Sequence, residues 1–169
     1  MFGEKWGELM SDDAIGLEPQ GVEEMSYDQA LEQIRSRQNF GLAVVAGLGA
    51  AIVGAILWAL VVYVTNYEIG LIAVAVGAVV GLAVRETGQG ADQKFGILGA
   101  ACAALGWGLG TVLGDVALAA GQLGLPFGET LTTIDLMALV STLASPMDLL
   151  FLGIAVFEGY KLSFRYRLG

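Results

Sequence analysis

Histidine is absent from this 169-residue chain, and cysteine occurs once, as Cys102. Without an imidazole, neither a Ser–His nor a Cys–His nucleophile can be assembled, and His- or Cys-rich metal sites are excluded as well. A single cysteine cannot close a disulfide within the chain, so Cys102, inside an apolar stretch, reads as a small packing residue. Charge is scarce too: Asp, Glu, Lys and Arg make up 15% of the residues, where a soluble domain carries about a quarter. Such a chain lacks the polar surface to face water on all sides. Basic residues are the scarcest, 8 against 17 acidic ones for a net charge of −9, which excludes a phosphate-reading nucleic-acid surface. Gly88 and Gly90 do not form a phosphate loop, because no Lys-Ser/Thr follows at the required place. These absences predict a protein that is not an enzyme and holds no cofactor or metal.

What the chain has in abundance is apolar surface, 56% of residues, and glycine, 25 residues. Nine of the acidic residues precede Phe40, accompanied only by Lys5, Arg35 and Arg37. Residues 1–39 are therefore expected to be an acidic arm. Ser26-Tyr27-Asp28-Gln29 resembles a capping box that starts a helix near residues 26–38. Residues 1–25 are too acidic and too rich in Gly and Pro to fold alone, and they do not read as a secretory signal, which needs a basic start and an early apolar run. Within them Phe2, Trp6, Leu9 and Met10 fall near helical spacing. Two readings stand: a docking face for a cytoplasmic protein partner, or a solubilising tail.

The body, residues 40–164, is predicted to be an all-α polytopic membrane domain. A helix needs about 20 apolar residues to cross roughly 30 Å of hydrocarbon, and Phe40–Thr65 contains no charge at all. Further spans are expected at about 67–85, 95–115 and 146–164, the third stopped by Asp115 and the fourth opened by Pro146. Between the last two, residues 128–145 place Leu131, Ile134, Met137, Ala138 and Val140 on one side of Glu129 and Asp135. That pattern reads as an interfacial amphipathic helix outside the bilayer core, with a re-entrant hairpin as the competing reading. Residues 165–169 form a short tail.

Orientation follows from the basic residues. Lys5, Arg35 and Arg37 precede the first span, Arg85 and Lys94 bracket the second loop, and Lys161, Arg165 and Arg167 end the chain. Four spans put all of them on one side; the other two loops, Thr65–Glu68 and Asp115–Asp148, hold no Lys or Arg. The positive-inside rule then predicts a bacterial inner membrane protein with both termini in the cytoplasm.

Small residues at four-residue spacing let membrane helices approach closely. Ala73, Gly77 and Gly81 mark span two; Gly106, Gly110 and Gly114 mark one stripe of span three, and Gly96, Ala100, Ala104 and Gly108 a second. They serve either packing within a Gly-rich four-helix bundle or self-association into a homo-oligomer, with a subunit-lined pore as a further possibility. Ionisable residues at membrane depth are costly and invite functional readings. Glu158 is expected in the inner half of the membrane, with Lys161 at i+3 and Arg85 as partners. A local ion pair and proton or cation handling are both open. Glu68, Asp115 and Asp148 are expected near the outer face, as solvated helix-end groups or as a cation site.

The runs Tyr67-Glu68-Ile69-Gly70, Ala83-Val84-Arg85 with Gly88 and Gly90, and Lys94-Phe95-Gly96-Ile97 resemble a family of small bacterial four-helix membrane proteins of no assigned activity. Asp148-Leu149-Leu150-Phe151 and Glu158-Gly159-Tyr160-Lys161 resemble that family's C-terminal segment. The likeness covers roughly Gly41–Gly114 and Pro146–Lys161; the arm and Gly121–Ser145 lie outside it. Members often carry a zinc ribbon or another soluble module at the N-terminus, which residues 1–39 do not resemble. Membrane lipid is the expected surrounding. The expected role is a self-associating or partner-binding scaffold or accessory subunit, with an oligomeric ion or proton channel using Glu158 as the alternative.

Overall fold

A computed structural model describes residues 27–67, 69–133 and 145–165. These form six helices and no strand. They are α1 (Tyr27–Ser36), α2 (Phe40–Thr65), α3 (Leu71–Gly88), α4 (Gln93–Leu123), α5 (Phe127–Thr133) and α6 (Pro146–Leu162). Three of them, α2, α3 and α4, are long and apolar enough to cross a membrane. The chain divides into two units, Met1–Gln33 and Ile34–Gly169; α2 to α6 belong to the second. The capping Ser26, the arm of residues 1–25, Glu68, residues 134–144 and Arg167 lie outside the described residues.

The helix limits follow from local chemistry. Asn39 caps α2, its Oδ1 accepting the Leu42 N–H at 3.0 Å, and Asn66 ends it in the left-handed conformation at φ 55°. Asn tolerates that region better than other residues with a Cβ. Helix α3 begins at Leu71 rather than Tyr67, because Tyr67 is not helical and the first turn closes on the Ile69 and Gly70 carbonyls. It runs past Arg85 to Gly88, where Gln89 caps it at φ 47°.

Helix α4 does not stop at Asp115. It continues through Val116–Leu123 and ends only at Gly124, whose φ of 67° turns the chain ahead of Pro126. One carboxylate interrupts hydropathy without interrupting the backbone hydrogen bonds; a left-handed glycine and a proline do interrupt them. Of the expected interfacial segment, α5 covers Phe127–Thr133, and its Phe127 packs back on the core beside α4. Helix α6 starts at the expected proline. Ser145 accepts the Asp148 N–H at 3.2 Å and donates its hydroxyl to the Asp148 carboxylate.

Helices α3 and α4 form the centre. Each touches the other and both α2 and α6, while α2 and α6 do not touch each other among the described residues. The levels can be read from the contacts. Gly47 meets Val84 and Cys102, Gly54 meets Val76, and Trp58 covers Gly110, so α2 and α4 run one way and α3 the other. Gly70 faces Phe151 and Gly81 faces Leu162, so α6 runs parallel to α3. It is offset from α3 by about one turn and ends ahead of Gly88.

The core is built from small residues around two large ones, Trp58 and Trp107, with Ala51, Ala73, Val76, Val80 and Ala103 between them. Among the described residues the buried polar side chains are Thr111, Thr130 and Ser163. Each donates its hydroxyl to a carbonyl four residues back, on Trp107, Pro126 and Gly159. Opposite its buried stripe, α2 exposes Val45, Ile52, Val53, Ile56, Leu57 and Val64. That is the surface expected of a helix facing lipid.

Candidate functional site

Of the glycines singled out in the sequence, all but Gly108 line contacts inside the chain. A Cβ on Gly77 would stand 2.8 Å from the Ala155 Cα, and one on Gly81 would stand 2.9 Å from the Leu162 Cβ. Gly106 lies against Val76 and Ala51, Gly110 against Trp58, and Gly114 more loosely against Val62 and Trp58. These faces are occupied by neighbouring helices of the same chain. Gly49, Gly108 and Gly153 instead look into open space.

Sequence reasoning missed a second close helix crossing. Gly159 of α6 meets Gly99 and Ala103 of α4, so a Cβ there would sit 2.6 Å from the Ala103 Cβ and 2.7 Å from the Gly99 carbonyl. The signal was present as Ala155, Gly159 and Ser163, a small stripe at four-residue spacing on the most charged of the four long helices.

The polar pair anticipated at Glu158 is not formed. No ion pair within 4.0 Å joins Glu158 to Lys161 or Arg85 among the described residues. The Lys161 ammonium instead sits over the Phe157 ring, 5.6 Å from its centroid. On a helix, i and i+4 align as well as i and i+3, and the aromatic face holds the cation. Arg85 turns to its neighbour Glu86, 3.6 Å away. Glu158 is left half-buried on the α6 flank beside α3.

On the opposite side, Asp148 belongs to the cap of α6 and Asp115 is half-buried within α4. No three carboxylates, thiols or imidazoles gather as metal ligands among the described residues. Glu68 lies outside them.

What the fold does assemble is a charged rim at the turn between α3 and α4. The Asn39 N–H donates to the Gly88 carbonyl at 3.0 Å, and the Arg165 N–H donates to the Gly90 carbonyl at 3.0 Å. The chain's entry into α2 and its exit from α6 are thereby fixed to the same turn. Beneath it Phe95 is fully buried, in edge contact with Phe40 at 5.6 Å between centroids. Around it the charges form two groups. Asp92 is shared by Lys94 at 3.2 Å and Arg35 at 3.8 Å, and Lys94 also lies over both phenyl rings. Glu86 is shared by Arg85 at 3.6 Å and Arg165 at 3.5 Å. Thus four cations share two carboxylates, and Arg37 and Lys161 add further positive charge. Two side-chain donors, Arg85 Nε and Gln38 Nε2, are buried without a hydrogen-bond acceptor among the described residues.

Compared with known proteins, the chain matches no family model, no curated protein and no solved structure.

Proposed function

We propose that this chain is a four-span, non-enzymatic protein of a bacterial inner membrane, with both ends cytoplasmic, that acts as a self-associating or partner-binding scaffold or accessory subunit. The fourth span is α6. Its 17 residues reach about 26 Å, and they overlap α3 over most of its length, Gly77 level with Ala155 and Gly81 with Gly159. Whatever medium surrounds α3 therefore surrounds α6. Orientation rests on the charges: Arg35, Arg37, Arg85, Lys94, Lys161 and Arg165 belong to the rim end, while Glu129 and Asp148 are the described charges beyond the other end. Cytoplasmic ends collect Lys and Arg.

The observation that carries the scaffold reading is the filled interior. Helix backbones meet at Gly77, Gly99 and Gly159, and the buried hydroxyls bond to their own helices. A bundle packed this way offers its surfaces rather than a path through its centre. Those surfaces are the exposed face of α2, with its open Gly49, and the acidic arm beyond the described residues. The second reading, an oligomeric ion or proton pathway, is favoured by Glu158, a half-buried carboxylate without an ion-pair partner among the described residues.

Two measurements separate these readings. Cysteine labelling from one side of sealed vesicles is expected to reach the exposed positions 93 and 165 together, and positions 66 and 128 only from the other side. In liposomes, the scaffold reading expects no ion or proton flux from the wild type or Glu158→Gln, and deletion of residues 1–25 releasing a co-purifying protein. Flux that Glu158→Gln abolishes without changing assembly establishes the pathway reading instead.

A further inference from the structure

The two guanidiniums on Glu86 are under-coordinated. Arginine presents a planar fork of N–H donors suited to paired oxygens. Yet neither side chain makes a hydrogen bond among the described residues, and their only ion-pair partner is one carboxylate at 3.5–3.6 Å that is itself 62% exposed. Arg85 Nε is buried with no acceptor. The pair is nonetheless held in place. Arg85 projects from the last turn of α3, and Arg165 is fixed by its backbone bond to Gly90, just after Ser163 is anchored on the Gly159 carbonyl.

From this end of α3 and α6 the outward surface is apolar. It runs over Leu82 and Val79 on one helix and over Phe157 and Ile154 on the other, all exposed. The charges facing the pair are Glu86, the Lys161 ammonium and, deeper on the α6 flank, Glu158. The balance is cationic.

We propose that Arg85 and Arg165 together bind the phosphate of an anionic phospholipid, whose acyl chains lie along Val79, Leu82, Ile154 and Phe157. A phosphate offers the two guanidiniums the paired oxygens that Glu86 supplies only at long range. Basic pockets between helices at the cytoplasmic surface take such head groups. Glu86 is then an internal competitor for the site. The inference rests on α6 lying in lipid beside α3, as proposed above. One-sided labelling tests that placement, whereas lipid selectivity tests the site.

The experiment uses the purified full chain in a neutral detergent. It is titrated separately with short-chain phosphatidylglycerol, short-chain phosphatidylcholine and inorganic phosphate, and bound ligand is counted by native mass spectrometry. Saturable binding of phosphatidylglycerol is expected, with phosphatidylcholine and inorganic phosphate at least about tenfold weaker, since neither combines net negative charge with acyl chains. The double variant Arg85→Gln, Arg165→Gln is expected to weaken phosphatidylglycerol binding about thirtyfold, a factor near five for each cation at a membrane surface. Glu86→Gln is expected to tighten it severalfold, a gain that misfolding cannot imitate. Equal binding of the two lipids, inorganic phosphate binding as tightly as phosphatidylglycerol, indifference to the double variant, or loosening by Glu86→Gln would each overturn the proposal.

Discussion

Gly159 sits where two backbones come as close as side chains permit, with Ala103 and the Gly99 carbonyl filling the space a methyl group would need. Overpacking a tight contact costs about 1–3 kcal/mol. Gly159→Ala is therefore expected to destabilise the folded bundle by that amount, read as a lower thermal midpoint in detergent. Gly153, six residues earlier on the same helix, has nothing within 4 Å. Gly153→Ala gains helix propensity of up to about 1 kcal/mol, so it is expected to be neutral or mildly stabilising. If the two variants behave alike, the crossing is looser than described. The residue scale also shows what spacing can and cannot convey. The four-residue interval of Gly77 and Gly81 marks a small stripe, but nothing in a single helix says which neighbour fills it, and Gly99 with Gly159 was legible only once α4 and α6 lay side by side.

At the scale of the element, α4 is the outlier, 31 residues and about 46 Å long against roughly 30 Å of hydrocarbon. Its end depends on Gly124, which adopts φ 67° with no side-chain neighbour within 4 Å. For Gly124→Ala the cost is thus conformational alone, about 1–2 kcal/mol for a left-handed residue with a Cβ. The expected result is a drop of that size in unfolding free energy without change in helix content by circular dichroism. A larger loss would mean that the methyl group also meets a steric obstacle. The limits of α2 are written in Asn39 and Asn66, and the start of α6 in Ser145 and Pro146. That of α4 is not written at Asp115, because hydropathy reports where charge enters a helix and not where its hydrogen bonding fails.

Taken whole, the chain presents exposed apolar side chains over most of α2, with only 28% of its most apolar window buried. Dilution below the critical micelle concentration is expected to precipitate the protein within the time of a sedimentation run, and a soluble monomer in plain buffer would contradict the membrane assignment. The all-helical class and the membrane character were legible from uncharged runs such as Phe40–Thr65. The charged rim was legible only as a tally of Lys and Arg. Sequence spacing offered Lys161 equally to Glu158 and to Phe157, and the fold chose the ring. Both the first and the last described segments of this unit are also stitched by main-chain amides to one short connection, at Gly88 and Gly90. A reporter or protease site inserted there would unfasten three strands of chain at once, and trimming the tail ahead of residue 165 would remove one stitch. The Gly124–Pro126 bend, to which neither Asn39 nor Arg165 is bonded, is the safer place to splice in a tag.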